Sequence, residues 1–115
     1  RRHADAVEAF NRALEVDRIP ILMAMLAHTY AISGQRDRAL ALLEILDAEA
    51  KNRYISPYDI AVIHAGLGDV PAALDRLRAA LEDRSAWMVF LNVDPRLDRL
   101  RDEPAFIEIA ARLSN

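Results

Sequence analysis

GDVPAALDRLRAAL, Gly68 to Leu81, repeats the outline of an earlier stretch, GQRDRALALLEIL, Gly34 to Leu46. Both run from a glycine through a polar step to an alanine and then to leucines. Gly34 and Gly68 stand 34 residues apart, and so do Ala39 and Ala73, Leu43 and Leu77, Leu26 and Ile60, Ala27 and Ala61, and Leu46 and Ala80. A shared period of this length marks stacked supersecondary units, because one unit cannot bury its own apolar face and needs a neighbour. A third, partial copy opens the chain: Ala6, Phe10 and Ala13 precede Ala39, Leu43 and Leu46 by 33 residues. The lost residue falls in a connection, where changes of length cost little.

Each unit reads as two helices joined by a tight turn. In PILMAMLAHTYAISG the apolar Met23, Leu26, Ala27, Tyr30 and Ala31 recur at steps of three and four, the rhythm of one helix face. Gly34 closes that helix, since a glycine accepts the positive φ common at a helix C-terminus. The second helix, from Arg36 to about Ala50, repeats the rhythm with Ala39, Leu42, Leu43 and Leu46. Small side chains at Ala27 and Ala39, and again at Ala61 and Ala73, let paired helices approach closely. In SPYD, Ser56 is expected to cap the next helix, with Pro57 at its first position and Asp59 reaching back as in a capping box. Asp69 is expected to cap the helix after it.

At these residues the chain resembles the tetratricopeptide repeat family, whose two-helix unit has the same period. The first full unit supplies Leu26, Ala27, Tyr30, Gly34, Ala39, Leu43 and Leu46, and the second Ile60, Ala61, His64, Gly68, Ala73, Leu77 and Ala80. The departures are the missing opening tryptophan, Leu46 in place of an alanine, His64 in place of an aromatic residue and the missing final proline. The resemblance implies an all-α fold of antiparallel helix pairs stacked in a right-handed superhelix. It divides the chain into the second helix of a truncated repeat (1–18), two repeats (20–51 and 55–84) and a helical C-terminal cap (85–115). The tail breaks at Asp94-Pro95 and Glu103-Pro104, because proline disfavours helix in the residue before it. Its apolar residues, Trp87, Val89, Phe90, Leu91, Leu97, Leu100, Phe106, Ile107 and Leu113 among them, are expected to cover the open face of the last repeat. This end also resembles the C-terminal repeat regions of multidomain bacterial regulators, such as transcription regulators, nucleotide cyclases and serine/threonine kinases.

Composition narrows the function. The 115 residues carry a net charge of −3 and no cysteine, which leaves no disulfide framework or thiolate chemistry and fits a reducing, cytoplasmic setting. The longest apolar run, Ile19 to Ala27, is far short of a membrane span, and RRHADAVEAF ahead of it is not expected to act as a signal peptide, since it lacks an apolar stretch and a cleavage site. The chain opens inside a helical pattern without methionine and reads as a piece of a longer protein. Its arginine bias fits a bacterial source. Arg76, Arg78, Arg84, Arg96, Arg99 and Arg101 alternate with Asp75, Glu82, Asp83, Asp94, Asp98 and Asp102, which cancels the field a nucleic acid would need.

No enzyme motif is present. His3, His28 and His64 have no metal-ligand spacing, and AGLGD lacks the lysine and the preceding strand of a phosphate loop. A catalytic or metal site built from His28, Asp59 and His64 is the weakest alternative; no cofactor and no metal are expected. In the family, the first helix of each unit lines a concave groove that reads a peptide or a helix. Carried onto this chain, the groove positions are Ile21, Ala24, Met25, His28 and Ala31, then Ile55, Tyr58, Asp59, Val62 and Ala65. That mostly apolar set implies a protein partner presenting an apolar segment, which can be another domain of the same chain. The competing expectation is a structural or self-associating domain whose groove is filled by its own neighbouring segment.

Overall fold

A computed structural model describes residues 4–9, 11 and 20–114, and leaves aside the side chains of Ala86, Trp87 and Ser114. His3, Phe10 and Ala13 lie outside the described residues, as does the Trp87 side chain. Among the described residues every regular element is helical. The chain divides into two compact units, one ending at Ile55 and one beginning at Ser56.

In the first unit, residues 4–9 are helical, and α1 (Pro20–Ile32) and α2 (Arg36–Glu49) form a helical hairpin. The turn between them follows from Gly34, whose φ of 81° is open to glycine at little cost. It lets the Gln35 amide reach back to the Tyr30 carbonyl at 2.9 Å, closing the last turn of α1. Met23, Leu26, Ala27 and Tyr30 of α1 are buried, with Ala39, Leu43 and Leu46 of α2. The Arg38 guanidinium covers the Tyr30 ring at 5.7 Å, so even the rim of this core is shielded.

In the second unit, α3 (Pro57–Leu67) and α4 (Val70–Glu82) form a second hairpin, with Gly68 at φ 79° in the turn. Ser56 and Asp69 cap the two helices, accepting from the Tyr58 and Ala72 amides. The expected reciprocal capping box at Ser56 does not form. Asp59 is one methylene shorter than the glutamate that closes such a box, and its carboxylate feels the charge of Arg96 instead. The positions related by the period, Leu26 with Ile60, Ala27 with Ala61, Ala39 with Ala73, Leu43 with Leu77 and Leu46 with Ala80, are all buried.

The tail belongs to this second unit. Two 3-10 segments, Ala86–Phe90 and Pro95–Leu100, lead into α5 (Pro104–Ser114), and both prolines expected to interrupt helix stand at the start of a new element. Leu91, Leu97, Leu100, Phe106 and Ile109 join Tyr58, Val62, Ala65, Leu74 and Leu77 in one core. Not all of the tail is covered: Val89, Phe90 and Ile107 remain exposed, contrary to the expectation that its large apolar residues are all buried.

The end of α4 repeats the turn chemistry with a different residue. The Ser85 amide donates to Ala80 at 3.0 Å and the Arg84 amide to Leu81 at 3.1 Å, the bond pair that closes α1 and α3 through glycines. Here the left-handed position holds Arg84, at φ 55°. A Cβ at Gly34 would meet nothing within 4 Å, so Gly34→Ala tests the backbone term alone and should cost about 1 kcal/mol in chemical denaturation. Arg84→Gly should raise the denaturation midpoint, by a smaller margin because glycine loses more chain entropy on folding.

Candidate functional site

The ten expected groove positions separate sharply by exposure. In α1, Ile21, Met25, His28 and Ile32 follow steps of four, three and four, which places them in one stripe of the helix. Met25 and Ile32 are exposed, at 40% and 45%, while Ile21 and His28 are half-buried. Ala24 is buried and Ala31 half-buried beside this stripe. Ile32 was not among the expected positions, although its place one turn beyond His28 is legible from helical spacing.

One period later the same stripe reads Ile55, Asp59, Val62 and Gly66, and only Asp59 keeps partial exposure. Tyr58, Val62 and Ala65 are buried in the core that holds Leu91, Leu97 and Leu100, and Ile55 is buried at the end of the first unit. The expectation of an accessible groove at Ala24, Ile55, Tyr58, Val62 and Ala65 is therefore corrected. The apolar residues of the tail needed a surface to leave water, and the face of α3 provides it.

A polar clasp fixes the tail in that place. The Tyr58 hydroxyl, fully buried at its ring, donates to Asp94 Oδ2 at 2.7 Å. Asp94 also accepts from the Arg96 amide at 3.0 Å, capping the second 3-10 segment, and binds the Arg96 guanidinium in a fork, Nε to Oδ1 at 2.9 Å and Nη2 to Oδ2 at 2.7 Å. Arg101 donates to the carbonyls of Leu91 and Asp94, at 3.2 and 2.7 Å, and so ties off the chain on either side of the bend.

The electrostatics follow from this geometry. Burial, then the bond to Asp94, pushes the Tyr58 hydroxyl well above its ordinary range, so it remains a donor. Burial alone would raise the Asp94 carboxyl, but the bonds from Arg96 and Tyr58 outweigh it and hold the group below the usual carboxylate range. The Arg96 guanidinium is raised chiefly by its bond to Asp94. Asp59 is raised by burial, against a smaller opposing pull from Arg96.

This arrangement is suited to holding rather than to reaction. Tyr58 and Asp94 satisfy each other away from solvent, and Arg96 saturates the remaining carboxylate lone pairs. His64 is half-buried, with Nδ1 3.9 Å from Asp69 Oδ2, and among the described residues no three His, Asp or Glu side chains gather as a ligand set. Of the residues weighed from the sequence as a metal centre, His28 stands in the first unit and Asp59 and His64 in the second. Comparison with known proteins finds no family model, no curated protein and no solved structure that matches the chain.

The two carboxylates predict opposite responses to pH. Asp94 has a lowered folded value, so its contribution is present above the ordinary carboxylate range and is lost as pH falls through that lowered value. Asp59 has a raised value, so ionising it in the folded protein costs stability as pH climbs through the window above the ordinary range. In urea denaturation Asp59→Asn should therefore be more stable than wild type near about pH 7 and indistinguishable near about pH 3. Asp94→Ala should cost about 3 kcal/mol near neutral pH, the low end for a broken buried pair, because Arg96 can turn its head to solvent.

Proposed function

We propose that this chain is a recognition domain of the tetratricopeptide kind that binds an apolar peptide or helix along the stripe Ile21, Met25, His28 and Ile32. The observation that carries this reading is the different fate of one stripe at two places one period apart. At the second place an apolar segment already lies against the helix, with Leu97 and Leu100 buried together with Val62. At the first place the corresponding side chains are left wholly or partly exposed. A helix face that one segment can cover in this way suits a second segment of like character, supplied by a partner protein or by another domain of the same protein.

The role is binding without catalysis, in a larger bacterial regulatory protein in the cytoplasm. Several features support that setting: the repeat period, the absence of cysteine, and, among the described residues, the absence of any helix long and apolar enough to cross a membrane. Self-association through the tail is the competing role, and the exposed Val89, Phe90 and Val93 favour it.

Met25→Arg separates the two. Met25 is 40% exposed, so the substitution should leave the thermal midpoint unchanged within error while placing a charge at the centre of the stripe. In affinity capture from the source cell, a partner held by wild type and released by Met25→Arg is the expected result. Identical captures, together with a concentration-dependent dimer in sedimentation that Phe90→Asp abolishes, would replace recognition by self-association.

A further inference from the structure

A hollow of about 520 Å³ opens where α4 ends, lined by Leu81, Arg84, Ser85, Met88, Val89, Arg112 and Leu113. The volume is within the usual range for a small-molecule site. Arg84, Ser85 and Arg112 are the polar members of this lining, the other four residues are apolar, and none is acidic. Neither the Arg84 nor the Arg112 guanidinium has a hydrogen-bond or ion-pair partner among the described residues. Two arginines lining a hollow that holds no acidic residue invite an anion, and the leucines, methionine and valine beside them suit one with an apolar body.

Arg84 adds an independent reason to regard the hollow as built. The turn that closes α4 uses the same bonds as the turns closing α1 and α3, yet the left-handed residue is glycine in those two and arginine here. Every side chain beyond glycine is strained at that backbone angle. The strain is accepted at the residue that puts a positive charge against the hollow, and strain of this sort gathers at ligand sites.

Ser85 completes the polar end. Its Oγ lies 2.9 Å from Ser56 Oγ, and Ser56 Oγ already accepts from the Tyr58 amide. Either hydroxyl can donate in this pair, and when Ser56 does, the Ser85 proton is free to turn toward a ligand. Val89, 74% exposed, is the part of the apolar wall most in need of cover.

We propose that this hollow binds an aliphatic carboxylate, with the carboxylate held by Arg84, Arg112 and Ser85 and the hydrocarbon chain laid against Leu81, Met88, Val89 and Leu113. A planar carboxylate matches the fork of a guanidinium, whereas a bare inorganic anion would leave the apolar wall in water. The site lies apart from the α1 stripe and does not depend on the role given to that stripe.

The protein reports on the hollow through its own methionines. Of the three, Met88 lines the hollow, while Met23 and Met25 stand in the first unit. With methyl-labelled methionine, titration with octanoate should move the Met88 resonance saturably and leave Met23 and Met25 in place. Octanol and inorganic phosphate at matched concentrations should leave Met88 unmoved. Arg84→Gly should melt higher than wild type and yet bind octanoate roughly tenfold or more weakly, and Arg112→Gln should weaken it to a similar degree with the fold intact. The proposal is overturned if octanoate gives no saturable shift, if octanol or phosphate serves as well, or if Arg84→Gly, folded and more stable, binds octanoate as wild type does.

Discussion

A single buried hydrogen bond, from the Tyr58 hydroxyl to Asp94, organises the second half of this protein. It joins a helix to a tail 36 residues further along the chain. The tail contains two short 3-10 segments that have little stability of their own, since such turns are held by poorly aligned bonds. What gives them a fixed place is the burial of Leu91, Leu97 and Leu100, and what gives that burial a register is the clasp. Apolar contact alone is non-directional. The carboxylate of Asp94, reached by Tyr58 on one side and Arg96 on the other, supplies direction.

The same bond explains why two halves of similar pattern present different surfaces. Both hairpins bury the residues the period marks, and both close their first helix through a glycine at positive φ. They part at the outer stripe. Position 25 is methionine in the first helix, and its counterpart one period later is Asp59, set within the field of Arg96. Val62 is buried in the core shared with the tail, Gly66 is buried too, and Asp59 keeps partial contact with water. The unit that carries its own cover leaves no apolar residue of the stripe exposed, and the first unit leaves Met25 and Ile32 exposed.

Much of this was legible in the sequence, for physical reasons that differ from residue to residue. The 34-residue spacing fixes which side chains are buried, because a repeated hairpin must pack the same positions each time. Gly34, Gly68, Ser56 and Asp69 announce the helix ends through local backbone chemistry, which depends on nearest neighbours only. The partnership of Tyr58 with Asp94 has no local signature: Tyr58 reads as a groove position and Asp94 as a break before Pro95, and only the folded chain brings them together. Asp59 misleads for the opposite reason, since its spacing fits a capping box while its length does not. The difference at Arg84 is also invisible in the sequence, where an arginine after two acidic residues reads as surface charge and its φ is not encoded by any neighbour.

The tail's seating on α3 carries a consequence for how the cell handles the protein. Tyr58, Val62 and Ala65 are apolar surface in every chain from the moment the helix forms, and Leu97 and Leu100 are among the residues that close the core over them. A chain interrupted by a premature stop ahead of Asp94, or clipped there by a protease, would carry a bare apolar face with a half-satisfied tyrosine in it. Chaperones and degradative proteases triage chains by such surface. The tail is thus also the segment that certifies this unit as finished, and a fault in it is read as incompleteness of the unit.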